Sequence, residues 1–371
     1  MKKIILVVFA LLLIQAYRTA HDGGIFRDVS QPIDFASCEK MTGPIGAEDM
    51  SIDRVAGIAY IAADNRQPQL HADGGYLDEN YETAKLTYPN GGIWMLDLKD
   101  PKSQAVKVDI KMEGAFHPHG MSLRFSNKLS PQGGRAIELY VINHKNIKLN
   151  EVDVFSILPS GEMVLRKRIT YPGLKSPNDL VVTGKDQFFV TNDHGSPRSS
   201  VMEVLENYVG LPLASVSYFD GQEEHKIIEG LRYPNGINIS ADGETLYVAE
   251  TTPHLVSRYD RGSSMEEWTL RDSIDVNSGV DNLEWDEDGT LLVGAHPKIL
   301  KFVEHAKDTS KLSPSEVIKI DVSNNKNMTF KSIYLNDGSA ISGSSVAVRF
   351  NNQMLIGPVL DDHFLRCKIK K

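Results

Sequence analysis

Short apolar runs broken by Gly, Asn and Asp fill most of this chain. Examples are VAGIAYIAA, GGIWMLDL, ELYVINH, QFFVTND, TLYVAET, TLLVGAH and QMLIGPV. Their length, their β-branched and aromatic content and their polar boundaries predict strands. Helical spacing is scarce. Residues 199–210, SSVMEVLENYVG, space Val201, Val204 and Leu205 suitably for one face and predict a short amphipathic helix. A continuous apolar stretch from Ile4 to Ile14 stands near the N-terminus, behind Lys2 and Lys3.

The strand runs belong to a longer unit: a polar opening, an apolar strand, a tight turn, a second apolar strand and a polar exit. PNGINISADGETLYVAET shows it, with Asp242-Gly243 at the turn. VDNLEWDEDGTLLVGAH repeats it with Asp288-Gly289. Asp-Gly is a strong hairpin signal, because glycine takes positive backbone torsions without steric cost. Six copies open near residues 48, 119, 178, 235, 282 and 344, at steps of 71, 59, 57, 47 and 62. Repeats of roughly 40–50 residues with several strands each are propeller blades. The longer steps here imply inserted loops, the plainest being residues 64–90. An all-β, six-bladed β-propeller with a central tunnel is therefore predicted, its edges protected by radial repetition. A β-sandwich would not show six similar units.

Composition is that of an ordinary globular protein, 41% apolar and 24% charged. The formal charge of −9, without a basic run, argues against nucleic acid as a partner. It leaves metal cations and neutral substrates open. Lys2-Lys3, the apolar run and small residues at Ala16 and Ala20 form a secretory signal pattern. Residues 1–20 are read as a signal or anchor segment and 21–371 as the propeller domain. The apolar run is too short for a span of roughly 20 residues; a buried N-terminal helix is the structural alternative. Cleavage would remove Lys2, Lys3 and Arg18 and take the charge to −12. Retained, the segment would anchor the protein to lipid. Secretion makes the cysteine pair Cys38 and Cys367 a disulfide candidate. It would close a loop worth about 4–5 kcal/mol by chain entropy; two unrelated buried thiols are the other reading. Asn327-Met328-Thr329 is a glycosylation sequon in a polar stretch, whereas Asn238-Ile239-Ser240 sits in a strand pattern.

In a propeller the innermost strands line the axis, so their mouths converge. Those mouths carry Glu48-Asp49, His119, Asn178-Asp179, Asn235 and Asp281-Asn282. Each Asn-Gly or Asn-Asp alone is an ordinary turn signal; repeated at equivalent points, they form a set. Carboxylates of Glu48 and Asp281 with amides of Asn178, Asn235 and Asn282 offer only oxygen, which suits Ca²⁺. Zinc would favour His or Cys. Strand alternation directs Asp49 and Asp179 to the opposite side, where a second, deeper ion and a backbone carbonyl are expected. His119 stands at a mouth and His144 ends the next strand of the same blade, so a His pair beside a metal is expected to activate water. His117 invites comparison as a partner of His119, and single histidines are more often packed or surface residues. Signatures of serine hydrolases, P-loops, H-E-x-x-H zinc enzymes and C-x-x-C redox sites are absent.

The segments GAEDMSID, FHPHGMS, VINH, SPNDLVV, TNDHG, YPNGINISADGETLYVAE, GVDNLEWD, LLVGAHP, GSSVAV and MLIGPV occur in order. Together they resemble the serum paraoxonase/arylesterase family over about residues 36–370. The resemblance implies a propeller with two Ca²⁺ ions in its tunnel, one catalytic and one structural. It puts the catalytic ion on Glu48, Asn178, Asn235, Asp281 and Asn282. It puts the structural ion on Asp49, Asp179 and the main-chain oxygen of Met121. It implies a catalytic dyad of His119 and His144, a disulfide of Cys38 and Cys367, and hydrolysis of small lactones and aryl esters. It also implies a secreted protein that, with its first segment retained, associates with membranes or lipid particles. The long 64–90 insertion departs from the family pattern and leaves substrate preference untransferred. A gluconolactonase- or strictosidine-synthase-like propeller, and a non-catalytic extracellular binding propeller, are the competing readings; the paired acid–amide mouths and terminal cysteines favour the first.

Overall fold

Six sheets, antiparallel but for one short parallel edge at Ile110–Lys111, are built from the hairpin units in chain order in the computed structural model, which describes residues 2–35, 37–66, 91–129, 135–145, 149–197 and 200–369. The inner strands are Ala47–Asp53, Pro118–Leu129, Pro177–Gly184, Pro234–Ile239, Gly279–Trp285 and Ser344–Phe350. Each touches the inner strands of both neighbouring blades, and the sixth returns to the first, so the ring closes. These strands begin where the sequence units open, so the six-bladed propeller stands. The insertion read at residues 64–90 lies outside the described residues from 67 onward.

Closure uses both ends of the chain. Ser37–Thr42 supplies the outer strand of the sixth blade, paired with His363–Lys368, and Cys38 lies directly opposite Cys367. The two form a disulfide across 329 residues of sequence. The pair is thus one covalent staple, not two separate thiols.

The core is divided by the ring symmetry into six clusters, one between each pair of adjacent blades. Met50, Ile61, Val346 and Leu355 join blades one and six; Tyr247, Val256, Leu283 and Ile318 join four and five. Every central strand therefore buries both faces. Strands such as Thr245–Glu250 and Leu291–His296 are buried at every position. This is why the sequence shows continuous apolar runs instead of the alternation of a half-exposed sheet.

Close packing of the inner strands explains two glycines, of which Gly236 follows Asn235 in what read as a turn signal. A Cβ on Gly120 would lie 2.5 Å from the Asp179 Cα of the next blade, and one on Gly236 would lie 2.5 Å from the Asp281 carbonyl oxygen. His119-Gly120 and Asn235-Gly236 are thus strand residues at blade contacts.

The predicted helix forms over Val201–Val209, with Ser200 capping the Glu203 N–H at 3.1 Å and Gly210 closing it in the left-handed region. A second short helix, Ile299–Lys307, follows His296 and was not foreseen. The N-terminal segment forms a helix, Lys2–Asp22, running beyond residue 20. Among the described residues no helix is long and apolar enough to cross a membrane.

Candidate functional site

The six inner strands share one irregularity. Each shifts register against its neighbour near its mouth: between Ala47 and Asp49, Pro118 and Met121, Pro177 and Leu180, Pro234 and Ile237, Val280 and Leu283, and Ser344 and Val346. Such bulges re-aim side chains. They fall on Glu48, His119, Asn178-Asp179, Asn235 and Asp281-Asn282, so simple strand alternation does not govern those pairs. Asp49 and Asp179 point between the inner strands, toward N–H groups of the next blades, and not into the cavity that Glu48 and Asn178 line.

Five of the singled-out side chains meet at the floor of a cavity of about 400 Å³ or directly beside it. In four of them a neighbour fixes which atom faces inward. Asn282 Nδ2 donates to Glu48 Oε1 and to the Glu48 carbonyl, both at 2.9 Å. Asn178 Nδ2 donates to Asp193 Oδ2 at 3.4 Å. His296 Nε2–H donates to Asp281 Oδ2 at 2.8 Å. The remaining oxygens, Glu48 Oε2, Asn178 Oδ1, Asn235 Oδ1, Asp281 Oδ1 and Asn282 Oδ1, are buried without a hydrogen-bond donor. One such orphan costs roughly 1–3 kcal/mol, so five together in one place need an occupant. A hard cation is what an all-oxygen set of two carboxylates and three amides fits. Among the described residues no three His, Cys, Asp or Glu side chains cluster for a metal; the amides complete the donor set. Burial, reinforced by Asp281 and Asp49, pushes the Glu48 carboxyl well above its usual range, and Arg66 pulls against it. A carboxylate so raised is one awaiting positive charge.

Deeper in the tunnel, Asp49 accepts N–H groups from Met50 at 2.7 Å and from Met121 of the next blade at 2.6 Å. Asp179 does the same with Leu180 at 2.7 Å and Ile237 of the next blade at 2.9 Å. Met121 meets Asp49 through its N–H. Burial raises both carboxyls, and Asp49 raises Asp179 further.

The His pair comes together. His144 Nε2 and His119 Nδ1 are 3.2 Å apart, with the rings edge to face. A residue the sequence reading missed sets their protons. Asn150 Nδ2 donates to the carbonyls of Leu174 and Lys175, both at 3.1 Å. Its Oδ1 therefore faces His144 Nδ1 at 2.8 Å and accepts that proton. His144 Nε2 is then the acceptor for His119 Nδ1–H, which leaves His119 Nε2 unprotonated, 3.6 Å from Glu48 Oε1. His117 does not join them; it pairs with Asp64 at 3.2 Å.

Other lining groups come from the ends of second strands: Asp193-His194, Thr251 and His296, besides His144. That shared position was the usable sequence signal, since a hairpin returns its second strand beside the mouth of the first. Burial pulls the His194 imidazole down, but Asp193, Asn207 and Glu203 together hold it up at about 9. One wall is apolar: Ile299, Phe302 and Val303 from the unforeseen helix, with Leu360. The N-terminal helix adds Gln15 and Thr19. Its end is held by Asp22, whose carboxylate meets Arg232 and whose carbonyl accepts from His254 Nε2–H at 2.9 Å. Away from the site, Asn327 is exposed on its loop, whereas Asn238 Nδ2 is engaged by the Leu283 carbonyl at 2.9 Å.

Known proteins resemble this chain over most of its length. The family described as Arylesterase matches residues 82–369. Serum paraoxonase/arylesterase 2 of Rattus norvegicus is 30% identical over 345 residues, 91% of this chain and 90% of its own length. Serum paraoxonase/arylesterase 1 of Homo sapiens is 30% identical over 340 residues, 89% of this chain and 88% of its own. Among solved structures, a luciferin-regenerating enzyme shares the fold with a TM-score of 0.52 at 12% identity, over 92% of this chain and 98% of that one. With that family match and relatives 30% identical over about nine-tenths of the chain, the protein belongs to the paraoxonase/arylesterase family.

Proposed function

We propose that the protein is a calcium-dependent hydrolase of lactones and aryl esters. The observation that carries this reading is the convergence of five donorless oxygens beside the His119–His144 pair, which lines the same cavity. Glu48, Asn178, Asn235, Asp281 and Asn282 would hold a catalytic calcium ion, with Asp49, Asp179 and Met121 holding a structural one. The catalytic ion, when bound, supplies Lewis-acid polarisation of the substrate carbonyl.

The chain's own groups do the rest. His119 Nε2 takes a proton from the attacking water, which adds to the carbonyl carbon. His144 and Asn150 keep that nitrogen basic by holding the other protons in place. The neighbouring Glu48 carboxylate favours the imidazolium that results. When the acyl–oxygen bond breaks, His119 returns the proton to the leaving oxygen. The apolar wall of Ile299, Phe302, Val303 and Leu360 holds the hydrocarbon part of a substrate and keeps bulk water from the base. In a lactone the leaving oxygen stays tethered to the acyl group, so the cavity receives one product.

The rim carries exposed apolar side chains: Phe9, Leu13, Ile14 and Tyr17 on the N-terminal helix, and Val201, Val204 and Tyr208 on the helix beside it. They support docking to a lipid surface with the cavity facing it, in a secreted protein carrying its disulfide and, in a host that glycosylates, a glycan on Asn327. The test of function is a panel of aryl acetates and lactones assayed after dialysis against EDTA and after calcium is restored. Activity lost and regained with calcium is expected; full turnover in chelator refutes the calcium role, and no turnover under either condition refutes the hydrolase.

A further inference from the structure

The charged groups around the cavity pair off, with one exception. Asp22 meets Arg232, and Asp193 meets His194 at 2.7 Å. Arg66 has no carboxylate within hydrogen-bond reach among the described residues: Glu48 Oε2 stands 4.0 Å away, and Asp49 feels its charge from farther off. Arg66 is nonetheless 4% exposed and lines the cavity. Its hydrogen bonds go to carbonyls. Nη2 donates to Pro118 at 2.8 Å, and Nη1 donates to Gly46 at 3.3 Å and Asp64 at 3.5 Å. Among the described residues those contacts leave one Nη2 hydrogen and Nε–H uncommitted, on a guanidinium lodged between Glu48 and the strand that opens with Pro118 and His119.

A buried charge without a counter-ion is expensive unless a ligand supplies one. The charge count says which ligand. With Glu48 and Asp281 committed to one divalent cation, Arg66 keeps no carboxylate of its own within hydrogen-bond reach among the described residues. A monoanion of planar, two-oxygen geometry matches a guanidinium best. Ester and lactone hydrolysis makes such an anion: water oxygen joins the carbonyl carbon, the alcohol oxygen leaves with a proton, and the acid ionises. We propose that Arg66 is the carboxylate-recognition residue of the cavity, binding the acid product and carboxylate-bearing ligands generally. This rests on the hydrolase reading for the identity of the product, although carboxylate binding is measurable without turnover.

The probes are benzoate and its neutral analogue benzamide, titrated by calorimetry into the calcium-loaded full chain and its variants. Wild type favours benzoate. Arg66→Gln, which keeps a donor for the Pro118 carbonyl but no charge, lowers the benzoate-to-benzamide affinity ratio about tenfold, as expected for one charged hydrogen-bond partner. Arg66→Lys, which keeps the charge but not the fork, holds the ratio within about threefold of wild type, because a point charge still binds carboxylate. An unchanged ratio in Arg66→Gln, or an equal loss in both variants, overturns the proposal and makes Arg66 a structural tie. If Arg66→Gln does not fold, Arg66→Lys decides alone: a retained ratio supports charge recognition and a lost one overturns it. Failure of the hydrolase reading shows separately, as wild type that turns over no ester or lactone.

Discussion

Asn150 lies outside the substrate cavity, yet it decides which nitrogen of His119 carries a lone pair, and Asn150→Ala tests that directly. The substitution removes the acceptor 2.8 Å from His144 Nδ1 and leaves the Leu174 and Lys175 carbonyls without their donor. The lost hydrogen bond is worth about 0.5–1.5 kcal/mol net, so the productive tautomer should lose roughly two- to twelve-fold in population. kcat on an aryl acetate should fall by that factor. His119→Ala should cost more, about 10²–10⁴-fold, because it removes the base itself. The two effects should not multiply. Asn150 acts only through His144 and His119, so Asn150→Ala in a His119→Ala background should change kcat little further. A double-mutant cycle at saturating substrate measures this. An equal fold-loss from Asn150→Ala in both backgrounds would refute the proton-relay argument and leave Asn150 a purely structural residue.

Three further outcomes follow from the fold. Gly236→Ala puts a methyl group 2.5 Å from two backbone atoms of the next blade, Asp281 O and Leu283 N; overpacking typically costs about 1–3 kcal/mol, so thermal unfolding should shift down and calcium affinity should fall, both measured on the purified variant. Cys38→Ser opens the 329-residue closure and should cost up to about 5 kcal/mol by chain entropy, read as a lower urea midpoint than oxidised wild type; equal midpoints would mean strand pairing alone closes the ring. Burial raises the folded pKa of Asp49 to about 7 and of Glu48 to about 8. Carboxyls raised in this way stabilise the fold while protonated, fully so below their unfolded values near pH 4, and that stability is lost as pH climbs through 7 and 8. Chelator-treated protein should therefore melt at progressively lower temperature from pH 5 to 9 by circular dichroism, and calcium should flatten the trend; a metal-free melting temperature that rises over this range would contradict it.

Much of this protein was legible in one dimension because the relevant physics is local. Apolar runs, Asp-Gly turns and their recurrence carried the strand units and the count of blades. A ring then requires the mouths to converge, so Glu48, His119, Asn178, Asn235, Asp281 and Asn282 could be named as a set, and the cysteines at either end could be joined. What the chain could not show was orientation. Asn282 fixes Glu48 from 234 positions away, and Arg66 reaches the Pro118 carbonyl 52 positions on. Bulges, not alternation, decide where Asp49 and Asp179 point. The Asn150 amide carries no motif, and the helix Ile299–Lys307 is too short for its periodicity to stand out. The sequence by itself determined the repeating architecture and the chemical types brought to its axis, since turn chemistry and burial act between near neighbours. Only the tertiary structure decided which oxygens lack a donor, which nitrogen is basic and which charge lacks a close partner, because each depends on groups from different strands or blades meeting in a space that water barely enters.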